Sequence, residues 1–113
     1  MERDTRIAVL CDDPAVVAAS LGKLLEVSFE ARESSYGGDY WTAPLSYSIR
    51  VLSNLDPMYL PDSDPPGDQY FEADYSTFNV LVDVASDEQI GRRVVEFLSN
   101  KFPGSATVFG PSS

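Results

Sequence analysis

The sequence contains no histidine, and this absence removes both the most common general base and the most common metal ligand of proteins. It also excludes every nucleophile that depends on a neighbouring imidazole. The single cysteine, Cys11, can form no internal disulfide, and without histidine it cannot complete a zinc site. Because Cys11 follows the apolar run 7–10, we expect its thiol to be buried and inert.

Long hydrophobic runs are also absent. No stretch reaches the roughly 18 apolar residues that a membrane span needs, and the charged N-terminus leads directly into a strand-like segment without a signal-type apolar region. The chain has 113 residues, of which 43% are apolar, which is enough for one core. We therefore expect a single domain, residues 1–113, without a membrane contact and located in the cytoplasm.

Basic residues are scarce: eight Lys and Arg stand against eighteen Asp and Glu, for a formal net charge of −10. The imbalance lies entirely in the central segment, residues 33–91, which holds eleven acidic residues and one basic residue, Arg50. The rest of the chain is balanced. Such a field disfavours nucleic acid, because phosphate binding needs Lys and Arg. It favours a basic protein partner, whose approach it would accelerate.

The hydrophobic pattern predicts the element order β-α-β-β-β-loop-β-α-β. Asp13-Pro14 is typical of a helix start, and a helix to about residue 26 follows. Ser86 and Gln89 match a capping box for a second helix, which ends at Pro103-Gly104. The predicted strands cover residues 6–11, 27–32, 40–42, 46–54, 77–85 and 106–109, with a loop over 56–68.

Two apolar helices and alternating strands predict an α+β fold, with both helices on one face of a mainly antiparallel sheet. The more specific prediction is a ferredoxin-like arrangement with an inserted hairpin, whose strand order the sequence leaves open. The clearest strand places Phe78 on one face together with the alternating valines of 80–84.

Aromatic residues are concentrated beside the acidic ones. Nine of the thirteen lie between Tyr36 and Phe78, and acidic and aromatic residues alternate through 68–75. Since tyrosine and tryptophan are enriched at protein interfaces, this pattern predicts a binding surface for a basic protein. The alternative is that the rings hold a long loop on its own domain. For Trp41, both a core position and a contact position are open.

Metal and acid-base chemistry receive little support from the sequence. Asp62, Asp64 and Gly67 stand at positions 1, 3 and 6 of a calcium-loop pattern, but Pro66 and Ala73 occupy two positions that must supply ligands. Paired carboxylates could act as acid and base in a small enzyme, although a solvated surface accounts for so many acids more simply. We expect no catalytic residue, no metal and no cofactor.

The chain resembles the small acidic immunity proteins encoded beside bacterial polymorphic or contact-dependent growth-inhibition toxins. The features that carry the resemblance are the small α+β plan, the segment 33–41 and the Asp- and Tyr-rich segment 56–75. The resemblance implies a cytoplasmic protein that binds the C-terminal domain of a cognate toxin, in many cases a nuclease, and blocks its active site. It supplies no motif that could be matched residue by residue.

On this hypothesis, acidic side chains pair with basic toxin groups while neighbouring rings pack against the toxin. The acidic candidates are Asp56, Asp62, Asp64, Asp68, Glu72 and Asp74. The aromatic candidates are Tyr59, Tyr70, Phe71 and Tyr75, with Tyr36, Tyr40 and Trp41 as a second patch.

Three other functions remain open at this stage. A DNA-mimic inhibitor of a nucleic-acid enzyme would share the charge but would need carboxylates spaced like duplex phosphates. A carboxylate-dependent enzyme would need a deep acidic pocket. An assembly domain would pair through an exposed sheet edge, for which the short final strand is a candidate.

Overall fold

A six-stranded sheet and two α-helices make up most of the regular structure of the described residues. The computed structural model describes residues 3–33, 39–55, 59–60, 62–65 and 69–110. In chain order the elements are β1 (Arg3–Val9), α1 (Pro14–Leu25), β2 (Glu30–Arg32), β3 (Tyr40–Thr42), β4 (Ser48–Ser53), β5 (Val80–Ser86), α2 (Glu88–Lys101) and β6 (Ala106–Phe109). The sheet order is β2-β3-β4-β5-β1-β6, and each neighbouring pair is antiparallel. The predicted α+β class and antiparallel sheet are confirmed.

Both helices pack on the same face of this sheet. The register places Ile7, Val82 and Val51 side by side on the central strands, and all three are fully buried beneath the helices. The helices complete this main core with Val17, Ala18 and Leu21 from α1 and Val94, Val95 and Leu98 from α2. Burial at helical spacing on α1 and α2 and at alternate positions on the strands confirms the predicted pattern.

The start of α1 follows the prediction, and its end depends on a close backbone approach. The Asp13 carboxylate accepts from the Ala15 N–H at 2.9 Å, and Pro14 begins the helix. After Leu25 the chain turns through Glu26, whose φ of 56° is left-handed. A side chain at Gly22 would lie 2.7 Å from the Val27 carbonyl, so this turn requires glycine.

The predicted capping box of α2 is wrong. Asp87 is the N-cap, and its carboxylate accepts from the Ile90 N–H at 2.9 Å. Ser86 is instead the last residue of β5, where it pairs with Arg3 of β1 and is almost fully buried. Because the strand continues one residue further than expected, the cap moves one residue along the chain.

Two strand predictions also need correction. The strand expected over 27–32 is only Glu30–Arg32, and Phe29 packs against the main core from the preceding coil. Phe78 precedes β5 and lies in a turn in which its N–H donates to the Tyr75 carbonyl at 2.9 Å. Its ring therefore packs on the sheet face opposite the helices, away from the valines of β5 with which it was grouped.

That opposite face carries a second, smaller core. Ala8, Leu52 and Leu81 are buried there on adjacent strands. Four rings cover them: Tyr40 of β3, and Phe71, Tyr75 and Phe78 of the segment before β5. Val108 of β6 also packs there. The helix-free face is therefore half covered by residues 70–78, which include a short 3-10 turn, Ala73–Tyr75.

Asn54, immediately after β4, holds this covering segment in place. It is fully buried, its backbone N–H donates to Asn79 and its backbone carbonyl accepts from Phe71. Its side-chain oxygen accepts from the Glu72 N–H at 2.9 Å. Its side-chain nitrogen lies close to three carbonyl oxygens, those of Tyr75 and Phe78 at 3.0 Å and that of Glu72 at 3.3 Å.

We expect Asn54→Asp to lower the free energy of unfolding by about 2–4 kcal/mol, because a carboxylate cannot donate to those carbonyls and is repelled by them. Urea denaturation measures the change. Asn100→Asp, the same substitution at an exposed position of α2, should stay within about 0.5 kcal/mol of the parent. Equal stability of the two variants would contradict the anchoring role of Asn54.

Candidate functional site

The register of the sheet gathers carboxylates at one of its ends. Val9, Val80 and Ser53 lie side by side, so β1 and β4 finish where β5 begins. β3 begins at the same end, because Tyr40 pairs with Leu52. We call this the acidic end. The described acidic residues on the chain segments that connect strands or α1 at this end are Asp12, Asp13, Glu33, Asp39, Asp62, Asp64 and Asp74, and all except Asp64 are exposed.

Asp12 and Asp13 are members of this group that the sequence analysis missed. They follow β1, far from the central segment in the chain. The Asn79 side-chain amide, just before β5, donates to the Asp12 carboxylate at 3.0 Å. This hydrogen bond ties the β1–α1 turn to the segment that leads into β5. Only the antiparallel pairing of β1 with β5 brings Asp12 and Asp13 to the same end of the sheet as the central segment, and the sequence had left the strand order open.

A tight turn within the loop 56–68 exposes Leu60 and Asp62. The Leu60 carbonyl accepts from the N–H groups of Ser63 and Asp64, and the Asp64 carboxylate accepts from the Leu60 N–H at 2.9 Å. Asp64 therefore stabilises its own turn. Asp62 stays exposed, and 60% of Leu60 is accessible to solvent. An apolar side chain thus stands in contact with water beside a free carboxylate.

The candidate rings are divided between the two faces of the sheet. Phe71, Tyr75 and Tyr40 are half-buried on the second core, and Trp41 packs against the main core beneath the helices. These rings hold the loop and the hairpin on the domain, which was the alternative reading of the aromatic pattern. The two remaining described candidates, Tyr59 and Tyr70, are half-buried, and Tyr70 forms an isolated bridge with Leu55. Asp56, Asp68 and Tyr36 lie outside the described residues.

Glu72 takes part in a charge cluster on the helix-free face. The Arg6 guanidinium makes two hydrogen bonds to Asp83, at 2.6 and 2.8 Å, and lies 3.6 Å from Glu72. The hydrogen bonds that Arg6 donates to Asp83 raise the pKa of Arg6, which keeps this side chain charged. Arg50, on the other side, is 3.7 Å from Asp83. This cluster thus neutralises two of the eleven central acids, Glu72 and Asp83, within the domain.

A shallow cavity of about 220 Å³ opens over this charge cluster. Arg50 is half exposed at its edge and lies over the ring of Tyr40, with 5.8 Å to the ring centroid. The side chains that surround the cavity include Asp4, Arg6, Ser48, Arg50, Asp83 and Phe109. Because two guanidinium groups face two carboxylates, the charges of the cavity balance, and its polar groups chiefly stabilise one another.

Within the described ranges, no three or more Cys, Asp or Glu side chains stand close enough to hold a metal ion. Cys11 is half-buried rather than fully buried, and its sulfur lies 3.6 Å from the Asp13 carbonyl. Neither α1 nor α2, the two helices that the structure describes, is long and apolar enough to cross a bilayer.

No protein-family model and no curated protein matches the chain.

We expect Asp83→Asn to lower the free energy of unfolding by about 1–3 kcal/mol, because the two facing arginines would then lose their shared counter-charge. Glu96→Gln, at an exposed position of α2, removes the same charge and should be nearly neutral. Thermal unfolding of both variants measures the difference. If the melting temperatures of the two variants agree, the cluster does not stabilise the fold.

Proposed function

We propose that this protein is an immunity protein that acts in the cytoplasm. Its acidic end binds the basic surface of a cognate bacterial toxin domain, and a nuclease fits this surface best. The observation that supports the proposal is that seven described acidic residues lie on the segments that connect strands or α1 at one end of the sheet. Only two bases lie near that end in the described ranges, Arg32, which is paired with Glu30, and Lys101.

Electrostatics gives the proposal its physical basis. A nuclease must present Lys and Arg to the phosphates of its substrate, and carboxylates on an inhibitor can take the place of those phosphates. Charges on exposed turns accelerate the approach of an oppositely charged partner. Binding by such a surface weakens as salt increases.

Leu60 supplies the apolar part of the proposed contact. Affinity in protein interfaces comes mainly from a few packed side chains, while surrounding charges set rate and specificity. Leu60 projects from a turn whose shape Asp64 already fixes, so ordering it on binding would cost little conformational entropy. We assign Asp62 and Asp39 the charged contacts beside it, with Asp12, Asp13 and Asp74 around them.

We also propose that the fold is a ferredoxin-like plan extended by a hairpin. The order β6-β1-β5-β4, with a helix after β1 and another after β5, supports this assignment. The β2-β3 hairpin would then be the insertion, added at the edge beside β4.

The test reverses charge at the acidic end. Asp39, Asp62 and Asp74 are changed together to Lys, and the matched control changes Asp4, Glu26 and Glu96 to Lys, which are exposed and lie away from that end. The partner for the assay is the product of the neighbouring upstream gene, which on this proposal encodes a large secreted protein with a variable C-terminal domain. We expect the first variant to associate at least tenfold more slowly at low salt and to lose protection of growing cells, and the control to change less than about threefold.

Both variants should remain folded at the temperature of the assay, because the altered positions are exposed. Equal losses in the two variants would show that only net charge matters. An unchanged association rate in the first variant would remove the acidic end from the contact. An upstream gene of another kind, with no secreted product, would overturn the toxin proposal itself.

A further inference from the structure

A groove of about 370 Å³ runs between the outer surfaces of α1 and α2. Its floor is apolar: Val16 and Ala19 of α1 are exposed, and Phe97 of α2 is half-buried behind them. Ser20 adds one hydroxyl, which already donates to the Val16 carbonyl at 3.0 Å. A valine with 48% of its surface exposed on a helix leaves apolar area in contact with water.

Lys23 and Lys101 also line this groove, and they are the only two lysines in the chain. Within the described residues, neither lysine forms an ion pair. Each stands in the last turn of its helix, where it complements the helix dipole. The dipole accounts for a base at either helix end, but it does not require both bases to border the same apolar surface.

We propose that this groove binds a single-chain amphipathic carboxylate such as a medium-chain fatty acid. The acyl chain would lie on Val16, Ala19 and Phe97, and the ammonium group at one end of the groove would hold the carboxylate. The net charge of −10 disfavours an anion on the acidic parts of the molecule, and the two lysines, one toward each end of the groove, supply the places where the head group can bind. The volume and the mostly apolar lining, with few charged groups, are those of small-molecule sites.

The first measurement is a titration of the ¹⁵N-labelled full chain with sodium octanoate, decanoate and dodecanoate, each below its micelle concentration. We expect amide shifts concentrated in residues 16–23 and 97–101. Affinity should rise with each added pair of methylene groups, by up to about tenfold where they are fully buried. Shifts absent from both helices, or affinity independent of chain length, would overturn the proposal.

The second measurement tests the lysines. Lys23→Gln combined with Lys101→Gln should weaken decanoate binding at least tenfold at low ionic strength. The matched control, Arg92→Gln with Arg93→Gln, makes the same change in charge at exposed positions of α2 that do not line the groove, and it should stay within about twofold of the parent. Equal losses in the two pairs would contradict a role for the lysines.

Two further binding experiments test the charge of the head group and the source of the acyl chain. Dodecyltrimethylammonium has the same chain with the opposite charge and should bind at least tenfold more weakly than dodecanoate. If it binds equally well in the groove, the site is merely apolar and the proposal fails. Phosphatidylcholine–phosphatidylglycerol vesicles should leave both helices unperturbed. Binding to the vesicles without binding of free dodecanoate would make the groove a membrane contact instead.

Discussion

The hydrogen bonds of Asn54 determine where the segment 70–78 can lie. A buried amide that is fully paired fixes geometry more strictly than apolar packing does, because each missing bond would leave a polar group unsatisfied. Here one residue at the end of β4 binds the backbone at positions 71, 72, 75 and 78, close to where β5 begins. The segment is thereby folded back over the second core, and its charged neighbours are brought to one end of the sheet.

This arrangement changes the meaning of the net charge. Counted along the sequence, the central acids appear equivalent, yet Asp83 and Glu72 are neutralised by Arg6, which lies in β1. The Asp64 carboxylate accepts a hydrogen bond from the Leu60 N–H and so stabilises its own turn. The exposed acids Asp39, Asp62 and Asp74 are joined by Asp12 and Asp13 from outside the segment. The field that a partner meets is therefore set by the sheet register as much as by composition.

The sequence predicted the parts of the fold that depend on local pattern. Alternation gave β5 and β6, and helical spacing with an aspartate cap gave α1. It failed where tertiary contacts decide, as for Phe78, whose place in the alternation suggested the main core but whose turn directs it to the other face. For the candidate site, Asp62 and Asp74 could be named from sequence, whereas Asp12 and Asp13 required the strand order and the pairing of Glu72 required knowledge of Arg6.

The fold separates residues that support structure from residues that are free to vary. Asn54, Phe71 and Tyr75 are buried or half-buried and hold the loop, so their substitution would cost stability. Asp39, Asp62 and Leu60 are exposed on segments that those residues already position, and exposed substitutions usually change stability little. A protein that must match one particular partner benefits from this division, because its contact residues can change without loss of the fold.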